Sequence, residues 1–316
     1  MKIVANGQLA EKTKESLEAK GFEVKEVQIA YEQLSSYTQK NETEVLWLLH
    51  TGLLDKELLS DLKHLKVLVL ASQMVEIELV DFAQSLGIEV VWAEEALSNA
   101  TAELVFAHLF NGCRLLPEAN RNMPLEGDTS FKFLQESYGE GIELAGKTLG
   151  IIGMNKAGEL VAQKALALGM FVLYHDIDIP ILQADFELPN GLEFRVDLKS
   201  TELENLVHHA HFITVHTSHF KSYVVDAEML STAKHLKGVI NCAFPEAVNE
   251  VDLVNCLNNE KLLFGGIDRY EEEPHPVIQV LMQPAISLSP STGTSTDMSK
   301  MLIWDEIMDK IQDLRN

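Results

Sequence analysis

The sequence is poor in cysteine, with three in 316 residues: Cys113, Cys242 and Cys256. Three scattered thiols make neither a disulfide framework nor a zinc cluster, so no metal is expected and they read as reduced side chains of a cytoplasmic protein. Positive charge is scarce as well. Against 48 Asp and Glu stand 25 Lys and Arg, a formal net charge of −23. Nucleic acids and anionic membrane surfaces both demand an excess of cations, so neither is expected as a partner. No apolar run reaches the roughly 18 residues of a membrane span, and the opening MKIVANGQLAEK lacks the apolar core of a signal peptide. Internal repeats and low-complexity segments are missing too. What remains, 46% hydrophobic and 23% charged, is the composition of a globular protein. At roughly 150 residues per domain, the length points to about two domains.

Short β-rich runs alternate with helical patterns from the first residues. Residues 2–5, 22–27, 44–49, 66–70 and 88–92 read as strands, with amphipathic stretches such as 11–20 and 77–86 between them. Strand and helix in alternation imply a parallel sheet covered on both faces. A long helical pattern over 99–117 follows, then a loop-like stretch around 127–141. Alternation resumes with strands expected at 148–152, 171–175, 212–216, 238–241, 264–267 and 286–288. From Asp297 onward, Met301, Trp304, Ile307, Met308, Ile311 and Leu314 share one helical face, which predicts a packed terminal helix.

The most informative segment is residues 146–178, GKTLGIIGMNKAGELVAQKALALGMFVLYHDID. A strand ends at Gly153, the turn Met154, Asn155, Lys156, Ala157 follows, and Gly158 opens a helix. In a dinucleotide-binding βαβ unit such glycines permit the tight turn and close packing, and the pyrophosphate rests on the helix N-terminus. An acid about 20 residues on receives the ribose hydroxyls. Asp176 occupies that place, 176 − 153 = 23 residues after Gly153. Its carboxylate repels a 2′-phosphate, so NAD is favoured over NADP. The central glycine of G-x-G-x-x-G is replaced by Asn155, whose side chain stands where the pyrophosphate approaches.

The wider pattern identifies a family. ELAGKTLGIIG at 143–153, the strand ending in VH at 215–216, GVINCA at 238–243, GGIDRYEEEP at 265–274 and SLSPSTGTST at 287–296 occur in that order. The chain thereby resembles the D-isomer-specific 2-hydroxyacid dehydrogenases, which include glycerate, phosphoglycerate and formate dehydrogenases. The resemblance implies an α/β fold of two doubly wound parallel-sheet domains. A Rossmann domain binding NAD, residues 99–289, would be inserted in a flavodoxin-like substrate domain, residues 1–98 and 290–316, with the active site in the cleft between them. It also implies NAD contacts from residues 153–158, Asp176, His216, Ala243 and Asp268, and a homodimer to which Phe106, Leu109 and Phe110 could contribute.

The same resemblance locates the catalytic positions. Reducing a 2-oxo acid needs a cation to hold carboxylate and carbonyl, a proton donor for the alkoxide, and a hydride source. The family uses an Arg, and a His polarised by a Glu. Here the Arg position is Phe244, the His position is Ser291, and the Glu is retained as Glu273. The family's glycine-rich substrate loop reads ASQMVEIEL, with Ser72, Gln73, Met74, Glu76 and Ile77 in place of the usual residues. Among the histidines near the site, His216 matches one the family carries near the nicotinamide, whereas His219 and His275 read as loop residues. Cys242 has no base placed by sequence to activate it and reads as a small core residue.

Three readings follow. In the first, the protein is an NAD-dependent oxidoreductase with an altered site acting on a 2-hydroxy or 2-oxo acid. In the second, it is a non-catalytic protein that keeps NAD or another small-molecule effector as a sensor. A third, a scaffold without NAD, is the blandest.

Overall fold

A computed structural model describes residues 2–9, 11–48, 54–70, 77–187, 191, 193–217 and 222–313. The chain divides into two compact units, Met1–Leu97 with Ser295–Asn316, and Ser98–Thr294.

In the first unit, strands β1 (Lys2–Asn6), β2 (Glu23–Val27), β3 (Val45–Leu48), β4 (Val67–Leu70) and β5 (Glu89–Trp92) form one parallel sheet in the order β2-β1-β3-β4-β5. This is the flavodoxin-like order. VLWL in β3 and VLVL in β4 are buried throughout, as expected for central strands covered on both faces. Successive residues point to opposite sides, so Ile3, Val45, Trp47, Val67 and Val69 join one core and Val4, Leu46, Leu48, Leu68 and Leu70 the other. The terminal helix Asp297–Asp313 seals the first of these with Ile307, Met308 and Ile311. The side chains of the expected partners Met301 and Trp304 and of Ile77 lie outside what is described, as do Leu314 and the substrate-loop positions Ser72, Gln73, Met74 and Glu76.

The second unit holds β6 (Thr148–Ile152), β7 (Phe171–His175), β8 (Ile181–Glu187), β9 (Glu193–Lys199), β10 (Phe212–Val215), β11 (Gly238–Asn241), β12 (Phe264–Ile267) and β13 (Ile286–Leu288). Six strands run parallel in the order β7-β6-β10-β11-β12-β13. Strand order reverses between β6 and β10, which is where such sheets open a ligand crevice at their carboxyl ends. All the strands expected in the two parallel sheets are present.

Three details differ from expectation. β8 and β9 form an antiparallel hairpin where no strand was anticipated, tied to the sheet by a parallel bridge from Tyr174 to Ser200 and by Leu182 and Leu198 against the core. The long helix is Glu94–Cys113 and stops before Pro117, because Leu115 turns left-handed (φ 53°) and a new helix, Leu116–Glu126, takes Pro117 into its first turn, where a missing N–H costs nothing. Finally, the stretch read as loop contains the helix Phe131–Ser137; it buries one residue, Leu134, so no apolar stripe announces it.

Candidate functional site

Gly153 follows β6 with φ +93°, a conformation that L side chains rarely adopt, and a Cβ there would sit 2.3 Å from the Thr217 nitrogen. A Cβ on Gly158 would meet the Gly153 oxygen at 2.5 Å, so both glycines are dictated by space. Asn155 has φ −66°, and nothing at this position calls for glycine. It is the N-cap of the helix Lys156–Ala167: its Oδ1 accepts from the Gly158 N–H at 3.0 Å. Its Nδ2 donates to the His216 carbonyl at 2.7 Å, tying the turn to the end of β10.

Asp176, just past β7, is equally engaged. Oδ2 accepts from the Met154 N–H at 2.6 Å, and Oδ1 from the Asp178 and Ile179 N–H groups at 2.8 and 2.9 Å. A carboxylate offers about four lone-pair sites, which leaves roughly one for an incoming hydroxyl. The backbone N–H groups of Asn155, Lys156 and Ala157 have no acceptor among the described residues. These open donors at a helix N-terminus suit a bound phosphate. Beside them is a cavity of about 250 Å³ lined by Gly153, Asp176, Ile177, Thr217, Tyr223 and Val224, a partly apolar space fit for a nucleoside. The turn therefore fits a dinucleotide despite Asn155, which spends its own side chain on the cap.

The other expected residues gather at the ends of β10 to β13. His216 is buried, with Nε2 3.0 Å from Thr214 Oγ1, and burial pushes its pKa down to about 4, so the ring is neutral. Ala243 is buried, its N–H held by Asn241 Oδ1. Phe244 is half-buried and packs on the apolar core, while its carbonyl accepts from Asn241 Nδ2 at 2.7 Å. Asp268 is 2% exposed and held on both oxygens: Oδ1 accepts from Ser289 Oγ and the Thr292 N–H, and Oδ2 from the Gly293 N–H. These bonds hold the turn in which Ser291 adopts φ +53°, a costly conformation for serine. Ser291 Oγ lies 2.8 Å from Glu273 Oε1 and 3.1 Å from the Asp268 carbonyl. A hydroxyl–carboxylate pair thus joins Ser291 and Glu273, the residues that the sequence reading put at the family's His and Glu positions.

The sequence reading missed two residues here. Arg269 Nε donates to the same Glu273 Oε1 at 3.1 Å, which also accepts from the Tyr270 N–H at 3.0 Å. His108, 2% exposed, lies 2.8 Å from Ser287 Oγ and 3.1 Å from Ser289 Oγ, and thereby backs the serine that holds Asp268. Burial pushes its pKa down to about 4 against the pull of Asp268. Arg269 lay in view within GGIDRYEEEP, four residues before Glu273. His219 is outside the described residues, His275 is exposed, and Cys242 is buried with its thiol pushed well up by burial. Among the described residues, no group of three or more His, Cys, Asp or Glu side chains is arranged to hold a metal, and no helix is long and apolar enough to cross a membrane.

The sequence profile of the NAD-binding domain of D-isomer specific 2-hydroxyacid dehydrogenases matches residues 106–293, more than half of the chain. The chain belongs to this family. As a D-2-hydroxyacid dehydrogenase family member it is an oxidoreductase with NAD as its cofactor. A Staphylococcus saprophyticus protein assigned to the 2-hydroxyacid dehydrogenases is 26% identical over 320 residues, covering 98% of this chain and 96% of its own. Two solved structures share the fold. A glyoxylate reductase from Paecilomyes thermophila superposes with a TM-score of 0.81 at 22% identity, covering 99% of this chain and 94% of its own. The holo form of Rhodotorula graminis D-mandelate dehydrogenase gives 0.82 at 20% identity, covering 98% and 93%. None of these relatives lends support to a non-catalytic reading.

Proposed function

We propose that the protein transfers a hydride between NAD(H) and a small 2-hydroxy or 2-oxo acid. The observation that carries this reading is the turn after β6, where two glycines that tolerate no side chain and three open backbone donors lie beside a nucleoside-sized cavity lined by Gly153 and Asp176. In the proposal the amides of residues 155–157 receive the pyrophosphate and Asp176 receives a ribose hydroxyl, which also disfavours a 2′-phosphate. His216, Ala243 and Asp268 form the floor of the nicotinamide end. When bound, NADH supplies the hydride. Ser291, oriented by Glu273, hydrogen-bonds the substrate oxygen, but a hydroxyl is a poor acid at neutral pH, so water delivers the proton and turnover is slow.

The first unit is assigned the substrate-domain role. Three free cysteines and the acidic surface are those of a cytoplasmic protein. A homodimer through the second unit is part of the proposal: Phe110, Met123, Leu125, Phe131 and Phe133 are 42–76% exposed on the helices Glu94–Cys113, Leu116–Glu126 and Phe131–Ser137, whereas Phe106 and Leu109, expected beside Phe110, are buried in the core. Light scattering on the purified chain tests this, and a monomeric mass would contradict it.

The activity itself is tested by following NADH absorbance with a panel of 2-oxo acids. The expected result is slow oxidation that depends on the acid supplied. Saturable NADH binding without oxidation by any of them would favour the sensor reading.

A further inference from the structure

The family's substrate-binding arginine is missing at Phe244, and an acidic chain facing an anionic substrate must place a cation somewhere near the reacting oxygen. Arg269 lies two residues past β12, at the carboxyl edge of the sheet, with 32% of its side chain exposed. Its Nε is fixed 3.1 Å from Glu273 Oε1. A guanidinium carries five N–H donors in a planar fork, and none of the described residues accepts from the terminal nitrogens of this one.

An exposed i,i+4 ion pair is ordinarily worth little and signifies little. This one differs in where it ends. Glu273 Oε1 also receives Ser291 Oγ at 2.8 Å, so the arginine, the retained glutamate and the residue in the family's histidine position converge on one oxygen atom. Nor does Asp268 depend on Arg269 for hydrogen bonds, because both of its oxygens already accept from Ser289, Thr292 and Gly293. With Nε anchored, the terminal nitrogens are presented as a pre-oriented pair, the geometry that matches a carboxylate.

We propose that Arg269 grips the carboxylate of the substrate in place of the arginine lost at position 244, and that Glu273 positions it through Nε. The substrate class that follows is a 2-oxo or 2-hydroxy acid with a free carboxylate, as opposed to a simple ketone or alcohol. The proposal rests on the oxidoreductase reading above and assigns its substrate site.

Oxamate, an unreactive analogue of a 2-oxo acid, is the probe. NADH is first titrated into the protein by calorimetry, then oxamate is titrated both with and without NADH. The wild type should bind oxamate. Arg269→Gln should weaken that binding about tenfold or more, the usual consequence of losing a charge-assisted pair. Arg269→Lys should retain part of it, and NADH affinity and melting temperature should be the same in all three. Adding Phe244→Arg to Arg269→Gln should restore oxamate binding. Unchanged oxamate affinity in Arg269→Gln, or no oxamate binding by the wild type, overturns the assignment. Failure of the first titration, by contrast, counts against the cofactor site and is seen before oxamate is added.

Discussion

Two stretches of the second unit's carboxyl edge have fared differently. After β6 the chain keeps glycine wherever a side chain would strike backbone, at Gly153 and Gly158, and places a capping Asn where φ is ordinary. After β11 and β13 it carries Phe244 and Ser291, which the resemblance aligns with the family's charged and titrating groups, while the scaffold around them is bonded through Asn241 and Asp268. Steric requirements of the cofactor turn leave almost no alternatives. Chemical requirements at the strand ends can be met by other residues, provided the loops that carry them are still held in place.

The largest expected effect breaks the steric side. Gly153→Ala sets a Cβ against the Thr217 nitrogen in a positive-φ position, which should cost about 3 kcal/mol or more and abolish NADH binding. Thermal unfolding and an NADH titration measure both. At the strand ends the matching probe is acid. His108 has its pKa pushed from the usual 6.5 to about 4. The folded protein thus refuses a proton that the unfolded chain accepts below pH 6.5, and stability from this residue is present above 6.5 and lost as pH falls toward 4. The loss amounts to up to about 3 kcal/mol. Urea unfolding at pH 7 and pH 4.5 should show it, with a shallower dependence in His108→Gln.

Smaller changes sharpen the comparison. Asn155→Ala should cost about 1 kcal/mol as a lost cap, but Asn155→Gly only a few tenths. The glycine variant also frees the Gly158 N–H, so NADH should bind it more tightly than wild type; equal affinity would mean that this amide does not meet the pyrophosphate. The smallest effect concerns Glu250, which is 3% exposed and exchanges hydrogen bonds with Glu271: each side chain accepts from the other's N–H. Burial, and then the neighbouring Glu271, Glu272 and Glu273 charges, raise its pKa above the usual 4.5. Ionising it therefore disfavours the fold, and its contribution becomes adverse as pH rises past 4.5. The stability of Glu250→Gln relative to wild type should increase from pH 4.5 to pH 7.

Most of the architecture was legible because parallel strands buried on both faces announce themselves as VLWL or VLVL. The β8–β9 hairpin was legible too, and overlooked: apolar alternation through Leu182 and Ala184, then Val196 and Leu198, flanks an Asn-Gly turn signal at 190–191. The role of Asn155 was misjudged because the fingerprint invites a reading of every position as glycine; the cap three residues before Gly158 is the better signal. His108 and Arg269 were harder. His108 sits in an apolar helix and finds Ser287 and Ser289 only through the fold. Arg269 looks like a surface ion pair until β12 and β13 bring Ser291 to the same carboxylate.

The central claim is that the turn after β6 is a working dinucleotide site, and NADH fluorescence titrated against wild type and Asp176→Ala tests it most directly. Saturable binding by the wild type, weakened about tenfold or more in the variant by loss of the carboxylate's hydrogen bonds, is the predicted result. No saturable signal from the wild type at millimolar NADH, or equal affinity in the two proteins, would contradict it.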